Sequence, residues 1–210
     1  NVRPGHADFA GAIKYNQDDV RNILERSSAR ETAARVAVGA IAKSILKEFR
    51  IEGFSHVLQI GSVKVDKNVI PNEKIIEGND LRVADLKTYD LMKAEIDKAK
   101  KEGDTLGGKV EVIYSNLPIG LGSHVQWDRK LDGQIAQAVM SIQAVKAVEI
   151  GMGVDVAKNS GKHTHDEMFF ENGKVVRKTN NAGGLEGGMT NGENLVVKAS
   201  MKAIPTMKTP

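Results

Sequence analysis

The chain has 210 residues, 40% of them hydrophobic and 27% charged, and its 30 basic and 27 acidic side chains leave a net charge of +3. That is the balance of a globular chain long enough to bury a core. It lacks the basic, aromatic-interleaved stripe of a nucleic-acid binder and any apolar run near the roughly 18 residues of a membrane span. There is no cysteine, which excludes disulfides, thiolate metal sites and a cysteine nucleophile and suits a reducing, cytoplasmic setting. Aromatic residues make up only 4%, so an aliphatic core is expected. The sequence opens on Asn1 without a signal-peptide pattern, and both ends read as cut.

Taken in chain order, the first feature is Arg3-Pro4-Gly5-His6-Ala7-Asp8. Pro4 and Gly5 make a turn that presents His6, with Asp8 near enough to hold its tautomer; a lone histidine in a turn is more often a surface residue. A helix is expected from Ser28, where Ser28 and Glu31 have capping-box spacing. Ala33, Val36, Ala37, Ala40, Ile41, Ser44 and Ile45 then form a small-residue stripe suited to close helix packing. A helix start favours a phosphate, and Arg26, Ser27, Ser28 and Arg30 surround this one. The same residues also describe a well-capped helix with solvated arginines, and the Glu31 charge opposes an anion.

Ser55–Val65 reads as a β-branched strand and Asp66–Asp80 as a surface loop. A helix over Asp85–Glu102 groups Tyr89, Met92, Ile96 and Ala99 on one face, and Gly103 stops it. Lys109–Ser115 is a strand. A third helix, from about Asp128 to Ala144, turns Leu131, Ile135, Val139 and Ile142 inward, and Val145–Ile150 is a short strand after it. Met168–Phe170 and Val175–Arg177 flank Asn172-Gly173, a hairpin signal. Asn194–Ile204 alternates, with Leu195, Val197, Ala199 and Met201 on one face. Helices interleaved with hairpins predict an α+β fold with antiparallel sheets, and no linker divides residues 1–210, so a single domain is expected.

Two further clusters invite chemistry. His163-Thr164-His165-Asp166 would set two imidazoles on one face of a strand for a metal, but Gly161 and Lys162 point to a loop and no fourth ligand is near, so no metal is expected. The run from Gly183 to Gly192 fits neither a dinucleotide fingerprint nor a phosphate loop. It either lets backbone approach a flat ligand or is a long turn, and its residues alone do not choose.

In order, RPGHADFAGAIKY, RSSARETAARVAVGAIA, GLGSHVQWDRKLD, VEIG, HDE, TNNAGGLEGGMTNG and KAIPT resemble the chorismate synthase family over nearly the whole chain. The resemblance implies helices sandwiched with antiparallel sheets, a homotetramer, and a lyase of the shikimate pathway. Its reaction is the conversion of 5-enolpyruvylshikimate 3-phosphate to chorismate and phosphate with reduced FMN. Residue by residue it implies that His6 is a catalytic histidine exchanging a proton with the flavin, and that Arg3 and Arg30 line the anionic substrate. Arg26, Ser27, Ser28, Arg30, Gln143, Ala144 and Gly187 would contact flavin. So would Lys202, Ala203, Ile204, Pro205 and Thr206, where Ala203 stands at a position usually held by proline. The family's opening G-x-S-H-G, two further arginines and closing R-x-D are not in this sequence. A partial site, weak or inactive alone, is therefore expected. The alternatives are a non-catalytic, self-associating core that binds little flavin, and a metal-dependent hydrolase using His163 and His165.

Overall fold

The computed structural model describes residues 2–207, apart from the side chains of Glu25 and Ala29. Three helices come first: α1 (Asp8–Tyr15), α2 (Arg21–Ser27) and α3 (Ala29–Glu48). Strands β1 (Glu52–Ile60) and β2 (Val63–Lys64) form a hairpin, followed by α4 (Glu73–Glu77), α5 (Leu86–Glu102) and β3 (Gly108–Ser115). A 3-10 turn at Trp127–Arg129 leads into α6 (Leu131–Met140) and β4 (Val145–Ile150). A second 3-10 turn, Gly153–Lys158, precedes α7 (Gly161–Thr164). The hairpins β5 (Met168–Glu171) with β6 (Lys174–Arg177) and β7 (Leu185–Glu186) with β8 (Met189–Thr190) lead to β9 (Leu195–Met201).

The main sheet has five antiparallel strands in the order β2-β1-β3-β9-β4. Alternation decides its faces. Leu195, Val197 and Ala199 are buried and pair with Tyr114, Val112 and Val110 on β3. Against them α6 lays Leu131, Ile135 and Val139, closing a core with Leu185. The opposite face carries a row of partners across four strands: His56, Glu111, Lys198 and Glu149. His56 Nε2 lies 2.8 Å from Glu111, and Lys109 Nζ reaches Glu149 at 2.5 Å.

Helix α5 begins where expected because Asp85 accepts from the amides of Lys87 and Thr88, and it ends at Gly103, which takes φ 71°. Met92 is fully buried, Ala99 is buried, and Tyr89 and Ile96 are half-buried on the same face. The β5–β6 hairpin turns through Asn172 and Gly173 at φ 51° and 78°, both positive as a type I′ turn requires.

Several expectations are corrected. Ser55–Val65 is a hairpin rather than one strand, because Gly61 at φ 54° turns the chain between β1 and β2. The stretch 66–80 contains α4, capped by the Asn72 side chain on the amides of Lys74 and Ile75, and Ile76 within it is fully buried. The third helix is shorter than expected. Its start is pinned at Leu131, whose amide donates to Gly188 O at 2.8 Å, and it cannot reach Ala144, which takes φ 70° to turn into β4.

The α3 stripe does not pack against this chain. Its Val36, Ile41 and Ile45 are all more than half exposed, as is Val38 beside them, and α3 meets its own chain chiefly through α2 and β1. Helices apolar on most sides are normally covered.

Candidate active site

Asp8 opens α1 and is 1% exposed. Its Oδ2 accepts from the Arg3 amide at 3.2 Å and from Arg3 Nε at 2.9 Å. Its Oδ1 lies 3.2 Å from Arg3 Nη2 and 2.5 Å from His6 Nδ1. The Arg3 side-chain bonds, helped by the Arg3 amide and by His6 and opposed by burial, hold the Asp8 carboxyl down at about 2. The pair Pro4-Gly5 thus folds Arg3 back onto Asp8 with the imidazole of His6 beside both.

This turn touches the far end of the chain. Arg3 Nη1 donates to Thr206 Oγ1 at 3.2 Å, and Lys202 Nζ donates to the Gly5 carbonyl. The Lys202 amide donates to Ala144 O at 2.9 Å, and the Thr105 hydroxyl holds Ile204 O at 2.7 Å. From Ala144 the cluster continues to α3: Thr32 Oγ1 lies 3.4 Å from Gln143 Oε1, and Arg35 Nη1 donates to Ser141 Oγ at 3.0 Å. Arg3, His6, Gln143, Ala144, the segment Lys202–Thr206 and the first turn of α3 are therefore one connected group. Thr32, Arg35 and Thr105 are not among the residues expected to contact flavin or substrate. The sign available for the first two was a pair of polar residues one turn apart on a helix otherwise rich in Ala and Val.

The start of α3 differs from its expected form. Ser28 is extended at φ −132° and makes no side-chain cap. Glu31 does not reach back to it, because Arg35 Nε and Arg26 Nε lie 3.3 Å and 3.9 Å from its carboxylate. Ser27 spends its hydroxyl on Ile23 O at 2.6 Å. Arg26 and Arg30 are exposed on either side of the Ser28 break.

A cleft of about 680 Å³ opens between α5, β1, β3 and the Lys202–Thr206 segment. Val57, Ile96, Val110 and Ile204 give it apolar walls, with Ala144, Lys202 and Thr206 also in its lining. Gly187 lies apart, at φ 58° in the turn between β7 and β8. Its neighbour Gly188 packs on Lys130 at the start of α6. That hairpin adjoins the Leu195 end of β9, so about 20 Å of strand separates it from Lys202.

His163 lies in α7 and His165 just after it, not on a strand. Burial alone would raise the Asp166 carboxyl, but the Thr179 hydroxyl and the amides of Ala182 and Asn181 outweigh it and hold the group below the usual carboxylate range. Asp166 is thus a clasp on the Thr179–Ala182 turn. Among the described residues no group of three or more His, Asp or Glu side chains has metal-binding geometry.

The family model for chorismate synthase matches residues 1–210. The chain belongs to the chorismate synthase family. A chorismate synthase of Geobacter sulfurreducens is 52% identical over 99% of this chain and 56% of its own length. One from Brevibacillus brevis is 56% identical over 99% of this chain and 55% of its own length. A crystal structure of chorismate synthase superposes with a TM-score of 0.88 at 49% identity, covering 94% of this chain and 63% of that one. The chain thus spans just over half the length of the curated chorismate synthases it matches, and its antiparallel α+β architecture is that of the family. No helix among the described residues is long and apolar enough to cross a membrane.

Proposed function

We propose that the intact protein carrying these residues converts 5-enolpyruvylshikimate 3-phosphate to chorismate and phosphate with reduced FMN, in the cytoplasm and as a homotetramer, with residues 1–210 as one domain. The observation that carries this reading is the junction at which the Arg3–His6 turn, the Lys202–Thr206 segment and the Gln143–Ala144 turn meet beside one apolar cleft, in a chain of this family.

The residues fit the cofactor. A cleft of about 680 Å³ is within the range that takes a compact organic ligand. Its aliphatic walls suit a flat ring system, and Lys202 and Thr206 suit polar substituents. The chemistry a reduced flavin would supply there is electron density for breaking the substrate's carbon–oxygen bond to phosphate. Lys202, Ala203, Ile204, Pro205 and Thr206 hold the flavin together with Gln143 and Ala144. Arg26, Ser27, Ser28 and Arg30 offer positive charge and hydroxyls to anionic groups of flavin and substrate, and Arg3 and Arg30 bind the substrate. His6 moves a proton. Gly187 contacts a flavin only if a neighbouring subunit supplies the rest of that site, since within one chain it is remote.

The test is an anaerobic assay of the intact protein with reduced FMN. His6→Ala should lower turnover by about 10²-fold or more, and unchanged turnover removes His6 from the reaction. A second reading, a self-associating core that binds little flavin, is favoured for the 210 residues by themselves by the exposed apolar faces of α3. Calorimetric titration of that chain with FMN separates the two: tight binding rejects the second.

A further inference from the structure

The carboxylate of Asp8 has no conventional task in a helix start, being 1% exposed and occupied by two side chains from its own turn. Its contacts decide where the hydrogen of His6 sits. Asp8 is ionised at neutral pH, with its carboxyl held down at about 2, so it presents only acceptors. The hydrogen in the 2.5 Å contact therefore belongs to His6 Nδ1. Arg3 Nη2 lies 3.3 Å from Nδ1 and 3.4 Å from Nε2, nearly equidistant and so against the ring rather than in line with either lone pair; Asp8 makes the choice and Nε2 keeps its lone pair open. The His6 side chain is 11% exposed, leaving the ring little room to turn over.

We propose that Asp8 is a positioning residue for His6: clamped by Arg3, it keeps the hydrogen on Nδ1 and leaves Nε2 as the atom that takes the proton and gives it back. This rests on the reading of His6 as the proton-moving group. The clamp matters because it prevents the obvious substitute from working. In Asp8→Asn, two Arg3 donors, the amide and Nε, claim the Oδ2 position, so the one remaining oxygen settles there. The amide nitrogen then faces Nδ1 and donates to it, driving the ring hydrogen to Nε2 and occupying the lone pair that the reaction needs. Asp8→Glu keeps a carboxylate within a longer reach and retains the original tautomer in part.

The measurement is the nitrogen spectrum of the intact protein labelled with 15N-histidine, with His6 assigned by its loss in His6→Ala. With the ring neutral, Nδ1 is expected to be pyrrole-like and Nε2 pyridine-like, and Asp8→Asn should exchange the two. Turnover in Asp8→Asn should fall about 10²-fold or more with KM little changed, and Asp8→Glu should recover part of it. A packing role alone would move neither the ring spectrum nor the difference between the two variants. The proposal is overturned if wild-type His6 carries its hydrogen on Nε2, or if Asp8→Asn keeps both the wild-type tautomer and its turnover. If the intact protein forms no chorismate, the proposed activity fails while the ring spectrum still decides whether Asp8 sets the tautomer. If Asp8→Asn does not fold, the wild-type spectrum decides alone.

Discussion

The two ends of this molecule are built to different standards of closure. In the sheet body, β1, β3, β9 and β4 pair along their lengths, α6 seals one face, and Val83 and Met92 are fully buried. In the helical arm, α1 to α3 leave Phe9, Ile13, Val36, Val38, Ile41 and Ile45 more than half exposed. Yet the candidate site straddles both: the arm carries Arg3, His6, Asp8, Arg26 and Arg30, and the body carries Ala144, Lys202 and Thr206. The difference teaches that burial is concentrated in the body, whereas the proposed chemistry needs both parts. They meet where Arg3 and Lys202 cross between them.

That contrast can be broken from the body side first. Met92→Ala should destabilise the chain by about 3 kcal/mol or more, because it opens a cavity at a fully buried position; a denaturant midpoint unchanged from wild type would mean the body is not the stabilising part. Asp166→Ala should cost about 2 kcal/mol, since it strands the Thr179 hydroxyl and the amides of Asn181 and Ala182. Thermal melting measures it, and the His6 environment should not move.

Acid should act on the arm. The folded carboxyl of Asp8 is held at about 2, below the ordinary value of about 3.9. A depressed carboxyl stabilises the folded form above its ordinary value and loses that contribution as pH falls from about 4 through about 2. Protection of the α1 amides, measured as hydrogen exchange relative to the intrinsic rate at each pH, should therefore fall over that window, and Asp8→Ala should abolish the acid-dependent part. The smallest effect is expected on the exposed stripe: Val36→Ser with Ile45→Ser should change the stability of the 210-residue chain by less than about 0.5 kcal/mol per site. A larger loss in equilibrium unfolding would show that α3 is covered after all.

Much of the body was legible because its signals are local. Asp85 and Gly103 bracket α5 as read, Asn172-Gly173 turns the hairpin, and Val145–Ile150 is a strand to the residue. The arm was less so. Helices α1 and α2 follow turns held by Asp8 and by Asp19, and at eight and seven residues they are too short to show a period or to stand alone. The short α4 was hidden in a polar stretch for the same reason. At Ser28 the capping spacing was present, but two arginines took the glutamate. In the site, His6 beside Asp8 was visible from spacing. The meeting of Arg3 with Thr206, 203 residues away, was not, because strand pairing and not sequence distance brings it about. The two histidines near Asp166 looked like ligands only while that segment was imagined as a strand.

The row His56, Glu111, Lys198 and Glu149 has a consequence for how the chain finds its fold. Each strand has only one offset at which acid meets base on one side while valines meet on the other. A slip of one residue in any of the four would turn its charge into the oily side and its valines outward, so wrong alignments are penalised twice. The row thus proofreads the assembly of the sheet, and with it the spot at which Lys202 emerges beside Gly5.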